Sequence, residues 1–268
     1  MSPLERPAQG DPGLFGPGSV TWRVHADQIL WVGGLRALYL QALQPETVRG
    51  VFTHSDYKDD PWGRLLRTAT YVGVVTYGTT AAAEAAGARV RTVHDRLNLA
   101  DPHLLRWVHC CEVGSFLAAF RRAGGGLSDA EADGYLAEQV RAAALVGLDP
   151  ATVPASVAEL GAYFDRMRPE LSAGPEAREV ARFLLLPPMP AKIRLLTPAA
   201  AAWAGVSGLA FALQPRWARR MYHRLPGPPL ADLSTTIALR SLRRTFALLP
   251  DHLRTGPHLR DALARTAV

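Results

Sequence analysis

Residues 60–97 read DPWGRLLRTATYVGVVTYGTTAAAEAAGARVRTVHDRL. Asp60 before Pro61 is an N-cap with proline at the first helical position. Gly78 is suited to close that helix, and Thr79 or Thr80 can cap a second one running to about Leu97. The stretch has no period-two alternation of apolar and polar residues, so it predicts two helices in succession. After Arg67 the first helix is apolar or small all round, the pattern of a buried helix. On the second, helical steps group His94 with Ala83, Gly87, Val90 and Leu97. A single imidazole therefore falls on an apolar face, with Arg91 and Arg96 beside it.

The same pattern continues on both sides. Segment 22–43 has apolar residues at helical spacing and is closed by Pro45. Asp101-Pro102 repeats the Asp-Pro start and opens a helix that ends in Gly124, Gly125 and Gly126. Ser128 with Glu131 forms a capping-box pattern, starting a helix to about Gly147. Further helices are expected at about 154–168, 175–186, 198–222 and 231–248. No strand pattern and no repeat occurs. The expected fold class is all-α: one helical domain over 20–250, after a Pro/Gly-rich leader (1–19) and before a C-terminal tail (251–268).

Hydrophobic residues make up 48 % of the 268, enough for a sizeable core. The net charge of +6 is carried almost wholly by arginines, spread along helices among Asp and Glu. No basic run is interleaved with aromatics, so nucleic acid is not an expected partner. Cys110 and Cys111 are adjacent and read as small core residues of a cytoplasmic protein. The N-terminus lacks a basic region followed by an apolar one, the pattern of a signal peptide. TPAAAAWAGVSGLAFAL, residues 197–213, is shorter than a membrane span of about 20 residues. It predicts a packed or surface-associated helix and leaves peripheral membrane contact open. Zinc spacings, G-x-S-x-G, G-x-G-x-x-G and P-loops are absent.

Two positions invite chemistry. Arg64 and Thr68 share a helix face continued by Val72 and Val75. An arginine on a buried helix needs an anion or acceptor, met either by Asp56, Asp59 or Asp60 or by a ligand. His94 is either a core histidine bonded to a carbonyl or a ligand to something bound on its face. His25, His54 and His109 show no metal-ligand spacing with it.

Several strings together resemble one family: WVGGLRALYLQAL, GVFTHSDYKDDPWGRLLRTATYVGVVTYGT, RVRTVHDRL, DPHLLRWVHCCEVGSFLAAFRR and YLAEQVRAAALVG. It groups bacterial proteins with the latex-clearing protein (rubber oxygenase) and the endoplasmic-reticulum oxygenase of mycophenolic acid biosynthesis. The resemblance runs from about Trp22 to Arg220. It implies a globin-like helical arrangement around haem b. His94 matches the proximal iron ligand, Arg64 and Thr68 the distal polar pair, and Arg91 an arginine on a haem propionate. Arg96 is a second cation suited to the other propionate. The implied chemistry is O2 activation for an apolar substrate, such as an alkene or isoprenoid, held by Val72, Val75 and their neighbours. The electrons come from a donor that the residues do not name. Relatives carry a longer loop after the histidine, here only Asn98-Leu99-Ala100. They have an arginine where this chain has Asn98, the rubber oxygenase has a lysine where it has Arg67, and many have LHP where it has Gln44 in LQP. The alternatives are a haem-free helical protein binding a ligand or partner on the same fold, and a haem gas sensor.

Overall fold

The computed structural model describes residues 10–54, 60–222 and 229–266, and these are all-helical, with no strand among them. The first apolar segment is two helices, α1 (Val20–His25) and α2 (Leu30–Gln41). Asp27 Oδ1 accepts the Ile29 N–H at 3.0 Å in the turn that separates them. Next come α3 (Pro45–His54), α4 (Pro61–Tyr77), α5 (Thr80–Arg96), α6 (Pro102–Arg122) and α7 (Asp129–Leu145). The C-terminal part holds α8 (Val157–Met167), α9 (Pro175–Leu185), α10 (Ala191–Leu196), α11 (Ala199–Ala212) and α12 (Arg216–Met221). It closes with α13 (Pro229–Ala247), α14 (Asp251–Arg254) and α15 (Pro257–Thr266). The run expected at 198–222 is thus two helices, because Pro215 has no N–H to continue the first. The short α10 and the split after α1 were not anticipated from periodicity.

The caps are where the sequence places them. Asp60 accepts the Gly63 N–H at 2.9 Å, Thr79 the Ala82 N–H at 3.2 Å, and Asp101 the His103 N–H at 2.8 Å. Ser128 and Glu131 form a complete capping box. Each cap is worth about 1 kcal/mol.

The core is built on α2 against α6. Gly33 permits the approach: a Cβ there would meet Phe116 Cδ1 at 3.0 Å and the Ser115 carbonyl oxygen at 3.1 Å. Trp107, Tyr39 and Leu40 are fully enclosed around this contact. Arg36 is buried in it, donating to Ser115 Oγ at 2.6 Å and to the Leu213 carbonyl at 3.1 Å. Burial lowers its pKa to about 10. Cys110 and Cys111 are free and buried, and burial pushes the Cys110 thiol up to about 12. They are apolar filling and not thiolates. α11 joins the core through Ser207, which donates to the Leu184 carbonyl at 2.8 Å, so Tyr39 donates to Ser207, also at 2.8 Å. No helix among the described residues is long and apolar enough to cross a membrane.

The α4–α5 hairpin is clasped at its turn by distant segments. Asp11 accepts the Thr80 N–H at 2.8 Å and the Thr80 hydroxyl at 3.0 Å. Arg265 of α15 donates to the Asp11 carbonyl at 2.9 Å and to the Tyr77 carbonyl at 2.6 Å. α15 lies so close to α4 that a Cβ on Gly73 would come within 2.5 Å of His258 Cδ2.

Candidate functional site

α4 and α5 pack together, and charged groups on α5 and α6 act on a tyrosine of α4. Tyr71 of α4 lies within electrostatic reach of Glu112 on α6 and Arg91 on α5. Burial holds its hydroxyl up to about 12, with Glu112 adding to that and Arg91 opposing it. Burial pushes the Glu112 carboxyl up to about 7, and it makes no hydrogen bond among the described residues. One turn earlier, burial pushes His109 down to about 4. Both side chains are partly buried on α6.

His94 is half-buried in the last turn of α5. Burial lowers its pKa, against the opposing charge of Asp95, so the ring stays neutral at pH 7. Its Nδ1 is enclosed and has no hydrogen-bond partner. His25 is the contrasting case. Its Nδ1 lies 2.8 Å from Thr76 Oγ1 and its Nε2 3.0 Å from the Tyr135 hydroxyl, and burial takes it down to about 3. His25 is a satisfied core histidine, and His94 is not.

The short loop after His94 has a local cause. Leu99 N–H donates to the His94 carbonyl at 2.8 Å and Asn98 N–H to the Asp95 carbonyl at 3.2 Å. Asn98 is left-handed, with φ 54°. This is a Schellman turn, in which asparagine is a tolerated substitute for glycine. Leu99 then packs toward α3, its Cδ2 lying 2.9 Å from where a Gly50 Cβ would stand. Asp101 caps α6 at once. Asn98 therefore serves the backbone turn.

Arg91 is exposed and donates from Nη1 to the Leu145 carbonyl at the end of α7. A Cβ on Gly87 would come within 2.7 Å of that same carbonyl oxygen. The part of the His94 face that holds Gly87 is thus filled by α7. Arg96 is exposed, with no partner among the described residues.

On α4, Arg64 is half-buried and is already engaged in an interaction within the chain. Asp60 Oδ2 takes Arg67 at 3.0 Å, while Asp56 and Asp59 lie outside the described residues. Thr68 is exposed and donates its hydroxyl to the Arg64 carbonyl at 3.1 Å, the back-bond open to any helical threonine. The stretch after Arg67 is not buried all round: Thr68 and Thr70 are exposed, and burial sets in only at Val75, Thr76 and Tyr77. Val72 packs against the core and Val75 is buried, so neither is a free substrate wall. His54 is the last residue of α3.

Sequence reasoning missed Glu112. The signal was available: a lone carboxylate between Cys111 and Val113 on an otherwise apolar helical run. Among the described residues no group of three or more His, Cys, Asp or Glu could hold a metal ion.

The fold defines an all-helical protein, a class in which ligand and cofactor sites are built between helices. Residues 22–250 match the family model described as ER-bound oxygenase mpaB/B'/Rubber oxygenase, catalytic domain, and the chain belongs to this oxygenase family. Neither the curated proteins nor the solved structures provide a match.

Proposed function

We propose that the protein is a haem b-dependent oxygenase that uses O2 on an apolar substrate of alkene or isoprenoid type. The observation that carries this reading is the His94 imidazole in the last turn of α5, its pKa lowered by burial and its enclosed Nδ1 unbonded. A buried ring nitrogen without a partner costs about 1–3 kcal/mol, so its retention suits a group whose partner is a ligand. His94 would hold the iron. Arg96, free of partners, and the uncommitted N–H groups of Arg91 would meet the propionates. Bound haem would supply ferrous iron for O2 activation. Arg64 and Thr68 would contribute a cation and a hydroxyl donor from α4. Glu112, its pKa raised to about 7, holds or releases a proton at its carboxyl near neutral pH.

One observation favours a haem-free binding protein on the same fold: Arg91 and Gly87 are both occupied by the end of α7. An absorbance spectrum of protein expressed with haem precursor separates the two. The haem reading expects a Soret band that shifts with dithionite and again with CO. It expects His94→Ala to fold, by circular dichroism, without that band. A wild-type protein with no band after hemin addition removes the haem reading, and a full band in His94→Ala removes the ligand assignment. Oxygen consumption with candidate substrates separates an oxygenase from a haem gas sensor. Arg64→Ala is expected to keep the band and lose most turnover.

A further inference from the structure

Two grooves lie side by side on the surface, and Phe246 lines both. Neither is lined by His94, Arg64 or Glu112. The first, about 430 Å³, is almost wholly apolar, walled by Trp31, Leu35, Trp62, Ile193 and Trp203. The second, about 650 Å³, is lined by Gln28, Arg240, Arg243, Arg244 and Arg254. Asp27 is the acidic group facing these arginines, and it is spent on Arg243 at 2.6 Å. Arg254 pairs with Asp251. Arg240 and Arg244 have no partner among the described residues. An apolar trough thus adjoins a cationic one.

The rim carries the same two chemistries. Leu196 is 80 % exposed, Leu186 71 % and Trp31 47 %. Between those leucines, Lys192 and Arg194 of α10 are exposed and unpaired. The chain has no aspartate or glutamate between Glu179 and Asp232, so nothing acidic in that stretch neutralises α10 or α11. Exposed leucine, isoleucine and tryptophan in one patch mark an interaction surface. Tryptophans beside a cationic rim suit a bilayer, whose headgroup level takes the indoles and whose anionic lipids take the arginines and lysines.

We propose that this face is a peripheral docking surface for an anionic lipid bilayer. The inference is independent of haem. It bears on the site through Trp62, which lies two residues before Arg64. Its ring meets Trp203 edge-on at 4.8 Å, and its Nε1 donates to the Pro188 carbonyl at 3.3 Å. Docking therefore sets the start of α4 at the lipid surface.

The test is co-sedimentation of the full chain with vesicles of phosphatidylcholine alone and of equal parts phosphatidylcholine and phosphatidylglycerol. Binding is expected to the second and not the first, and to fall as salt is raised. Arg240→Glu with Arg244→Glu, and separately Leu196→Asp with Ile193→Asp, are each expected to weaken it roughly tenfold or more. Circular dichroism checks that both variants fold. No binding to either vesicle overturns the proposal, as does equal binding to both or binding that neither pair of substitutions alters. Two other occupants would also overturn it. Tight uptake of monomeric decyl phosphate without vesicle binding would make the grooves a small-amphiphile pocket. A dimer by light scattering that Ile193→Asp dissociates would make the face an interface between copies of this chain.

Discussion

Arg36 and Arg64 both sit on helices rich in apolar residues, and the molecule treats their neighbourhoods in different ways. Around Arg36, in the α2–α6 contact, the arginine is matched at both ends: two acceptors take its guanidinium, and Gln214 donates to its carbonyl at 2.6 Å, although Gln214 Oε1 is itself enclosed without a partner. In the α4–α5 hairpin and the facing stretch of α6, polar groups are left over. His94 Nδ1 is enclosed and unbonded, Glu112 makes no hydrogen bond among the described residues, and Arg96 stands alone. One region spends its polar atoms on holding the fold. The other keeps them available, at a cost in stability that a bound group would offset.

The contrast can be broken most sharply at Trp107, fully enclosed in α6 and donating to the Gln41 carbonyl at 3.1 Å. Trp107→Ala is expected to cost about 3–5 kcal/mol in urea denaturation. A loss under about 1 kcal/mol would mean that the α2–α6 contact is not where stability resides.

Glu112 probes the other region through pH. Its folded pKa, about 7, stands above the ordinary 4.5, so the native state keeps a proton that the unfolded chain releases. Its contribution is greatest below pH 4.5 and is lost as pH rises to 7. Glu112→Gln should therefore match wild type at low pH and exceed it by about 3 kcal/mol at pH 8. His25 and His109, whose pKa values are depressed, destabilise the fold as pH falls below about 6.5. They do so in both proteins and cancel in the difference. A gap that does not change with pH would show that Glu112 ionises freely.

A smaller effect is expected at Asn98. Asn98→Val forces a β-branched residue into a left-handed turn and should cost about 1–2 kcal/mol, seen as a lower Tm. Asn98→Gly should equal or slightly exceed wild type. If both variants melt alike, the Schellman turn is not what shortens the loop after His94.

The caps and the core were legible in the sequence because both depend on neighbours along the chain. Asp60, Asp101 and Ser128 act within three residues of themselves, and the α6 face follows from spacing alone. The site was legible only in part. His94 could be singled out, but Gly87 reads the same whether it faces a ligand or Leu145, since the deciding atom lies 58 residues away in α7. Thr68 and Val72 could be grouped on one face, yet nothing local says which part of that face solvent reaches. Asn98 looked like a missing cation because its left-handed backbone is invisible in a string of letters.

The clasp on the hairpin has a kinetic consequence. Arg265 reaches Asp11 across 254 positions, so the contact cannot repay its closure entropy until the segments between have folded. The helix pair that carries His94 is thus expected to lock after the core. In hydrogen exchange, α4 and α5 would form a cooperative unit of lower protection than α2 and α6, and a cofactor could be captured by a chain whose core is already complete.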